Sequence, residues 1–277
     1  MAVEPGRYTL ASSDVERARL ERQGAHARPV TERLFRAAGI GNGARVLDVG
    51  TGAGDVAMLA AELVGESGSV VGIDRDDAQL DAAATRCSEA GLRNVRFVVG
   101  DLNNPPTGPF DAVVGRFVLM YQPDPDATLR ALANRLVPGG VMAFVEYALT
   151  LGEGTAGSMN WPEHRLAPSM RSWIHDAFAA TNVAPVMGLR LRAALRAAGL
   201  EPQEHVEANS IVYMGVEAAE MSAGLVRSML PVIIEHGIAT ADEIDIATLA
   251  NRLVAAAGDD ELMLVLPRAI ATWARKR

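Results

Sequence analysis

Residues 46–54 read Val-Leu-Asp-Val-Gly-Thr-Gly-Ala-Gly, and they are the most informative stretch of this chain of 277 residues. The apolar residues predict a short strand, Arg45–Val49, and the sequence after the glycines predicts a helix, Asp55–Val64. Glycine allows a tight turn and lets a ligand approach the main chain where other residues would place a Cβ atom. The N–H groups at the start of the helix face the same turn. The stretch therefore predicts a ligand site at the exit of a strand.

The charges around the turn indicate which kind of ligand would bind there. The next predicted strand, Ser69–Asp74, ends in a carboxylate that can accept hydrogen bonds from ribose hydroxyls. A dinucleotide site requires Gly-x-Gly-x-x-Gly, but Asp55 occupies the third glycine position here. An acid at the start of the helix repels a pyrophosphate, and Asp48 before the turn adds charge of the same sign. The pattern favours S-adenosylmethionine (SAM), which carries an ammonium and a sulfonium and no phosphate, over NAD.

Strands and helices alternate along most of the chain. Strands with few polar residues, separated by amphipathic helices, are typical of a parallel sheet covered on both faces. We expect an α/β fold with a Rossmann-like, seven-stranded, mostly parallel sheet, helices on both faces and added helical lid segments. The predicted strands are Arg45–Val49, Ser69–Asp74, Val95–Val99, Phe110–Val114, Val141–Tyr147, Pro202–Ala208 and a last strand that starts at Leu262 and continues toward Trp273.

The simplest domain organisation is one domain over residues 1–277 with helical additions. Pro29 divides the N-terminal region into two predicted helices. The expected parts are N-terminal helices in 1–40, a SAM-binding core in 41–150, and a helical lid or substrate cap in 151–188 and 210–258.

Several phrases resemble the ordered signatures of the class I SAM-dependent methyltransferases. The phrases are Val46–Gly54, Ile73-Asp74, Gly100-Asp101, Phe110–Val114 and Leu136–Gly140. Two further phrases, Gly54–Ala57 and Leu119–Pro125, resemble bacterial small-molecule members of the ubiquinone/menaquinone and natural-product types. The resemblance covers about residues 43–147, and it implies a Rossmann-like fold, SAM as cofactor and methyl transfer to a small molecule.

The resemblance also implies a role for individual residues in holding SAM. The residues that would line its methionine part are Asp48, Gly50, Thr51, Gly52 and Gly54, with Gln23 and Tyr8 closing that end. The residues that would hold the nucleoside are Asp74 at the ribose, Arg75 against the adenine face, Asp101 at the adenine amino group and Leu102 on the ring. The residues that would border the sulfonium are Arg116 and Phe117.

Each of these acids and cations also has a purely structural interpretation. Asp48 could hydrogen-bond the N–H groups of the turn, and Asp74 and Asp101 could be caps or turn residues. Arg116 could form a surface ion pair. These interpretations do not explain together why acids recur at the carboxyl ends of successive strands, which is the edge where open α/β sheets bind ligands.

Methyl transfer from a sulfonium releases a neutral thioether, so the leaving group needs no acid. A base is useful where the acceptor must lose a proton. The candidate catalytic residues are His175 in the segment after the fifth strand, Glu146 at the end of that strand and Tyr121 after the fourth strand. An exposed helical histidine is the competing interpretation of His175. No cluster of carboxylates suggests a metal.

Composition limits the partners. The net charge of −8 argues against nucleic acid, because phosphate binding needs a basic surface. The single cysteine, Cys87, lies in a helical pattern and is expected to be buried. No signal-peptide pattern is visible, and the apolar runs are too short to span a bilayer. We therefore expect a cytoplasmic protein with no membrane partner, whose helical additions could also form a homodimer surface.

The region after the fifth strand concentrates methionine and tryptophan, which suit irregular apolar ligands. These residues are Met159, Trp161, Met170, Trp173, Met187, Met214, Met221 and Met229. They favour a small aromatic or hydrophobic acceptor in natural-product or quinone biosynthesis, with the accepting atom (O, C or N) unresolved. Ordinary core packing at helical spacing is the competing interpretation, and it applies to most of these residues. The alternative functions are an NAD(P)-dependent oxidoreductase and a protein that binds SAM without transferring its methyl group.

Overall fold

A computed structural model describes residues 14–149, 159–181, 183–204, 206–258 and 261–277. The chain forms two compact units. The first, called the sheet unit, consists of Glu21–Tyr147, Val186–Asn209 and Ala269–Arg277. The second, called the helical unit, consists of the described residues of Met1–Leu20, Ala148–Pro185 and Ser210–Arg268. The described residues of the lid segments expected in 151–188 and 210–258 fall in the helical unit, apart from residues 186–188.

The elements up to the fifth strand follow the predicted alternation. In chain order they are α1 (Asp14–Ala37), β1 (Arg45–Val49), α2 (Asp55–Val64), β2 (Ser69–Asp74), α3 (Asp77–Glu89), β3 (Val95–Val99), β4 (Phe110–Arg116), a 3-10 turn (Leu119–Tyr121), α4 (Pro125–Ala133) and β5 (Leu136–Ala148).

The later elements alternate between the two units. They are β6 (Met159–Trp161), α5 (Ala167–Ala179), α6 (Met187–Ala197), β7 (Leu200–Pro202), β8 (Glu207–Asn209), β9 (Val212–Met214), α7 (Gly215–Glu235), α8 (Ala241–Ile244), α9 (Leu249–Ala257), β10 (Met263–Val265) and β11 (Arg268–Lys276).

The main sheet has the strand order β3-β2-β1-β4-β5-β11-β7, with β8 also paired to β11. The pairs β2–β3, β1–β2, β1–β4 and β4–β5 are all parallel. The chain runs outward from β1 to β3 and then returns to place β4 on the other side of β1. Loops on the two sides of such a reversal diverge, so a crevice opens at the carboxyl end of β1. The fold therefore positions the glycine turn in the centre of the ligand-binding edge.

The expected count of seven strands is wrong by one, because the predicted strand Pro202–Ala208 is two short strands. Both are antiparallel to β11: β7 pairs with Ala274–Lys276 and β8 with Ala269–Ala271. Four residues separate β7 from β8 in the sequence, whereas two separate their partners on β11, so one continuous ladder is impossible. The sheet keeps seven strand positions, and the last position is shared.

Two other predicted elements differ from the structure. The two N-terminal helices are one helix, α1, which contains Pro29. Ala27 and Val30 beside the proline are buried, so packing outweighs the loss of one N–H donor. The last predicted strand is divided in two at Leu266-Pro267, with β10 in the helical unit and nearly all of β11 in the sheet unit.

The helical unit has its own apolar core. Its three-stranded antiparallel sheet has the order β6-β10-β9, and α5, α7 and α9 pack in the same unit. The largest members of this core include Tyr213, Met221, Met229, Ile233, Leu253 and Leu264. Met170, Met221 and Met229 are almost fully buried in this core, and Met187 is buried in the sheet unit. Core packing is therefore the correct interpretation for these four methionines.

The position of Cys87 and the length of the apolar helices were also predicted from the sequence. Cys87 is buried in α3, as predicted, and burial raises the pKa of its thiol. Of the helices that the structure describes, none is both long and apolar enough to cross a bilayer.

Candidate functional site at the carboxyl edge of the sheet

Five parallel strands end at one edge of the sheet unit, and the predicted site residues follow them. The glycine turn lies after β1, Asp74 and Arg75 at the end of β2, Asp101 and Leu102 after β3, Arg116 and Phe117 at the end of β4, and Glu146 and Tyr147 near the end of β5. Because these strands are parallel, side chains that are far apart in sequence meet at this edge.

The three glycines of the turn have positive φ angles of 65°, 49° and 87° at Gly50, Gly52 and Gly54. A Cβ atom at Gly50 would lie against Val118, and one at Gly54 would lie 2.9 Å from the Cβ of Ala83. A Cβ atom at Gly52 would meet nothing within 4 Å. Packing explains the first and third glycines. The middle glycine faces open space, where a ligand can approach the main chain.

Asp48 lies beneath the turn and is fully buried. Its Oδ2 accepts a hydrogen bond from the Thr51 hydroxyl at 2.5 Å, while no donor in the described part of the chain reaches its Oδ1. Burial raises the pKa of Asp48 to about 7, against the opposing effects of Thr51 and Arg116. The suggestion that Asp48 binds the N–H groups of the turn is therefore wrong: it holds the side chain of Thr51.

Asp74 fastens the turn to the end of β2. Its Oδ2 accepts from the Gly52 N–H at 2.9 Å, and its Oδ1 accepts from the N–H groups of Arg75 at 2.7 Å and Asp76 at 3.1 Å. Oδ1 accepts two hydrogen bonds and Oδ2 only one, so Oδ2 keeps a further lone pair, and the partly buried side chain can accept an additional donor there.

The residues after β3 form a more exposed group. The Asp101 Oδ1 accepts from the Asn103 N–H at 2.9 Å and from Arg75 Nη2 at 3.4 Å. The Asn103 N–H and the Arg75 guanidinium hold the pKa of Asp101 below its usual value. Leu102 beside it is buried. The structure thus brings together Arg75 and Asp101, two of the three side chains assigned from sequence to the adenine.

The charge of Asp55 is already matched within the protein. Its carboxylate lies 2.8 Å from Arg86 Nη2 and 3.9 Å from Arg116 Nη2. The sequence argument that Asp55 presents a free negative charge to a cationic ligand is therefore wrong. Arg116 is not a surface ion pair either, because its side chain is only 8% exposed. Burial lowers the pKa of Arg116, and the two carboxylates of Asp55 and Asp48 act in the opposite direction.

Helix α1 crosses close to these charges at Gly24. A Cβ atom at Gly24 would collide with the Asp55 carboxylate and lie 3.1 Å from Arg116 Nη2. Arg116 Nη1 also donates to the Gly24 carbonyl at 3.5 Å and to the Thr31 hydroxyl at 3.3 Å. The buried guanidinium therefore joins β4, α2 and α1.

An aromatic pair lies at the ends of β4 and β5. The rings of Phe117 and Tyr147 are stacked, with centroids 3.9 Å apart and planes 1° from parallel. Phe117 has a φ of 55°, a left-handed conformation that is rare outside glycine. Gln23 Nε2 on α1 donates to the Tyr147 hydroxyl at 2.7 Å. Gln23 thus reaches the site edge, whereas Tyr8, which was assigned to the same end, lies outside the described residues.

Glu146 does not have the role predicted for it. It is fully buried, and its carboxylate accepts from the N–H groups of Val118 at 2.9 Å, Leu119 at 2.7 Å and Met120 at 3.4 Å. Burial raises its pKa to about 7 although these hydrogen bonds favour the charged form. Glu146 therefore holds the turn after β4 and does not face a substrate.

The two other catalytic candidates are placed differently. Tyr121 is half-buried at the end of the 3-10 turn. His175 lies on α5 of the helical unit, where its half-exposed ring contacts its neighbour Asp176, with 2.8 Å between Nδ1 and Oδ1. This arrangement agrees with the competing interpretation of an exposed helical histidine.

Comparisons with known proteins agree with this architecture. The family model described as a methyltransferase domain matches residues 40–182. Aklanonic acid methyltransferase of Streptomyces sp. strain C5 is 38% identical over 112 residues, which are 40% of this chain and 51% of that protein. The ubiquinone/menaquinone biosynthesis C-methyltransferase of Pseudomonas putida strain F1 is 34% identical over 113 residues, covering 40% and 44%. The chain spans about half the length of the curated relatives it matches.

A solved structure extends the likeness of the fold to most of the chain. The [4+2]-cyclase SpnF superposes with a TM-score of 0.55 and 23% identity, covering 90% of this chain and 80% of that one. This similarity concerns the fold alone.

The buried carboxyl of Glu146 predicts a pH-dependent stability. The folded-state pKa of about 7 exceeds its ordinary value of 4.5, so between these values the native state holds a proton that the unfolded state has released. Stability should therefore be greatest below the lower value and fall as pH rises through the window, by up to about 1.4 kcal/mol per pH unit for one such proton. Urea unfolding of Glu146→Gln from pH 4.5 to 8 should show a shallower decline than the wild type. An unchanged slope would contradict this account.

Proposed function

The chain belongs to the class I SAM-dependent methyltransferases, and from this premise we propose that it transfers the methyl group of SAM to a small aromatic or hydrophobic metabolite. The observation that carries the proposal is the open turn at Gly52, whose N–H is held by the Asp74 carboxylate at the central crevice of the sheet. Bound SAM supplies an electrophilic methyl group with a neutral thioether as leaving group. The protein must then position the acceptor in line and exclude water.

We assign the parts of the site to the parts of SAM as the sequence suggested. The methionine portion would lie along Gly50–Gly54, the ribose at Asp74, and the adenine between Arg75, Asp101 and Leu102. Three observations support this assignment: the free space beside Gly52, the lone pair left on Asp74 Oδ2, and the apolar Leu102 next to a polar pair. Asp48 and Arg116 act one layer deeper, where they stabilise the turn and the helix start beneath the cofactor.

The hydrogen bonds of the two buried carboxylates limit the kinds of acceptor that the protein can deprotonate. Glu146 is held by three main-chain N–H groups and Asp48 by Thr51, so neither carboxylate is available to remove a proton from a substrate. We therefore favour acceptors that ionise without a strong base, such as carboxylic acids, phenols or enols. The net charge of −8 fits a small molecule better than a nucleic acid. A cytoplasmic location and a homodimer remain predictions.

The proposal is tested by calorimetry with SAM, S-adenosylhomocysteine and NAD, followed by a methyl-transfer screen on phenolic, enolic and carboxylic aromatic metabolites. Binding of SAM with methyl transfer to one of these classes is expected. Binding of NAD alone would favour an oxidoreductase and overturn the assignment. Binding of SAM with no consumption against any class would favour a protein that uses this fold without methyl transfer.

Asp74→Ala should weaken SAM binding by roughly 1–3 kcal/mol, the range for hydrogen bonds to a charged group. Asp76→Ala is the matched control, because Asp76 caps α3 by accepting from the Ala78 and Gln79 N–H groups and has no assigned contact with SAM. The control should lower the free energy of unfolding and leave SAM affinity within about twofold. Equal losses of affinity in both variants would show that Asp74 acts only through the fold.

The glycines of the turn should respond differently to one added methyl group. Gly52→Ala places a Cβ in the open space and should weaken SAM binding, with a strain of about 1–2 kcal/mol from the left-handed conformation. Gly54→Ala adds a clash with Ala83 to the same strain and should destabilise the protein more. Calorimetry and urea unfolding of the two variants separate the effects. Full SAM affinity in Gly52→Ala would place the cofactor elsewhere.

The stacked pair should distinguish SAM from its product, because only SAM carries a positive sulfonium that an aromatic face attracts. Phe117→Leu is expected to reduce the ratio of SAM to S-adenosylhomocysteine affinity by several-fold. Tyr147→Phe keeps the ring, loses the bond from Gln23, and should change the ratio less. Calorimetry with both ligands measures the ratio, and a parallel loss of both affinities in Phe117→Leu would indicate a structural role only.

A further inference from the structure

The strand β3 forms one outer edge of the main sheet. Among the strands that the structure describes, it pairs only with β2, in a parallel ladder. The carbonyl of Asn94 and the N–H of Gly100 both bond main-chain groups of β2, at 2.8 Å and 2.9 Å. A parallel strand bonds one neighbour through every second residue, so the main-chain groups of Val95, Phe97 and Val99 point outward.

A groove with a volume of about 520 Å³ runs between this edge and helix α3. Leu80 and Cys87 of α3 line it from one side. Val95, Phe97 and Val99 line it from the other, with their side chains on one face of the sheet because they alternate along the strand. The Val99 side chain is 55% exposed. Unpaired main-chain groups beside an apolar row are the arrangement that accepts an added strand.

Exposed charges of opposite sign lie at the two ends of this groove. Helix α3 runs back between two parallel strands, so its first residues lie beside the end of β3. Asp77 and Asp81 are therefore at the end near Val99, and Arg93 is at the end near Val95. None of these three charged side chains forms an ion pair with another described residue. A two-fold rotation exchanges the ends, so the groove is complementary to a second copy of itself.

We propose that a second copy of this chain docks on the groove, with the two β3 strands antiparallel across a two-fold axis at Phe97. The two Phe97 residues would exchange main-chain hydrogen bonds, and Val95 would stand opposite the partner's Val99, which gives about six such bonds in all. Residues in directly opposite positions share a face, so the partner's Val95 would cover the exposed side chain of Val99. The two main sheets would then continue as one.

The same rotation brings the charges together. Arg93 of each copy would lie near the partner's Asp77 and the partner's Asp81, at both ends of the interface. This arrangement places the homodimer surface on the sheet unit, whereas the sequence suggested the helical additions. The groove is lined by about half of the roughly 20–30 residues that a standard interface uses on each side, so the dimer should be weak and reversible.

The first test is analytical ultracentrifugation of the full chain from low to high micromolar concentration, where the wild type should show a reversible monomer–dimer equilibrium. Val99→Pro removes an outward N–H that β2 does not use, at a position where an edge strand accepts proline. Two intermolecular hydrogen bonds are lost, so the Kd of the dimer should rise about tenfold or more. Val99→Thr is the matched control, because it keeps the N–H and the branched side chain, and its Kd should be close to that of the wild type.

The second test exchanges the charges. Arg93→Glu sets like charges against the partner's Asp77 and the partner's Asp81, and it should raise the Kd several-fold at low salt. Adding Asp81→Arg to Arg93→Glu restores an opposite pair across the axis and should recover much of the lost affinity. Arg130→Glu on α4 is the matched control, since it changes the net charge equally at an exposed site away from the groove, and its Kd should be unchanged.

Hydrogen exchange of residues 94–100 should slow as the wild-type concentration rises, and should not do so in Val99→Pro. Near-UV circular dichroism confirms that each variant is folded, and the charge exchange serves alone if Val99→Pro does not fold. A wild-type monomer at every concentration overturns the inference. So does a dimer whose Kd is unchanged in both Val99→Pro and Arg93→Glu, since another surface would then hold it. The pairing needs no cofactor, so a dimer without SAM binding would count against the proposed function alone.

Discussion

The turn after β1 is constrained from two sides, and much of the site depends on this constraint. Val118 lies against Gly50 and Ala83 lies against Gly54, so side chains are excluded at both ends of the turn. Positive φ angles at three alternating residues, Gly50, Gly52 and Gly54, bring the main chain around, and Asp74 holds the middle of the turn through the Gly52 N–H. The result is a rigid strip of main chain whose only unobstructed glycine faces the crevice.

Electrostatic support for this strip comes from beneath it. Asp48 and Glu146 are buried carboxyls with pKa values of about 7, and Arg116 is a buried guanidinium shared by Asp55 and two acceptors on α1. Burying such groups is costly unless they are paired or hydrogen-bonded. Each of them holds a different part of the carboxyl edge: Asp48 holds the Thr51 side chain, Glu146 the main chain after β4, and Arg116 helix α1. The sequence assigned Asp48 and Arg116 to the cofactor and Glu146 to catalysis. In the structure, these three charged side chains instead stabilise the turns and the helix around the site.

The parts of the site that sequence reasoning predicted are those encoded locally. The strand, glycine turn, helix and terminal Asp74 lie within about thirty residues, and their bounds agree closely with the prediction. The pairing of Gln23 with Tyr147 joins residues 124 positions apart, and the contact of Asp55 with Arg116 depends on how β4 is placed beside β1. No periodicity encodes these contacts. Pro29 also shows the limit of a local rule, because packing keeps this proline inside helix α1.

The route of the chain between its two units has an evolutionary consequence. The helical unit is built from an N-terminal segment and two excursions, one that leaves after Tyr147 and returns at Val186, and another that leaves after Asn209 and returns at Ala269. Neither excursion interrupts a pair of parallel strands in the cofactor half of the sheet. Selection can therefore change single residues or whole loops in these two excursions without altering the strand order that positions the glycine turn and Asp74.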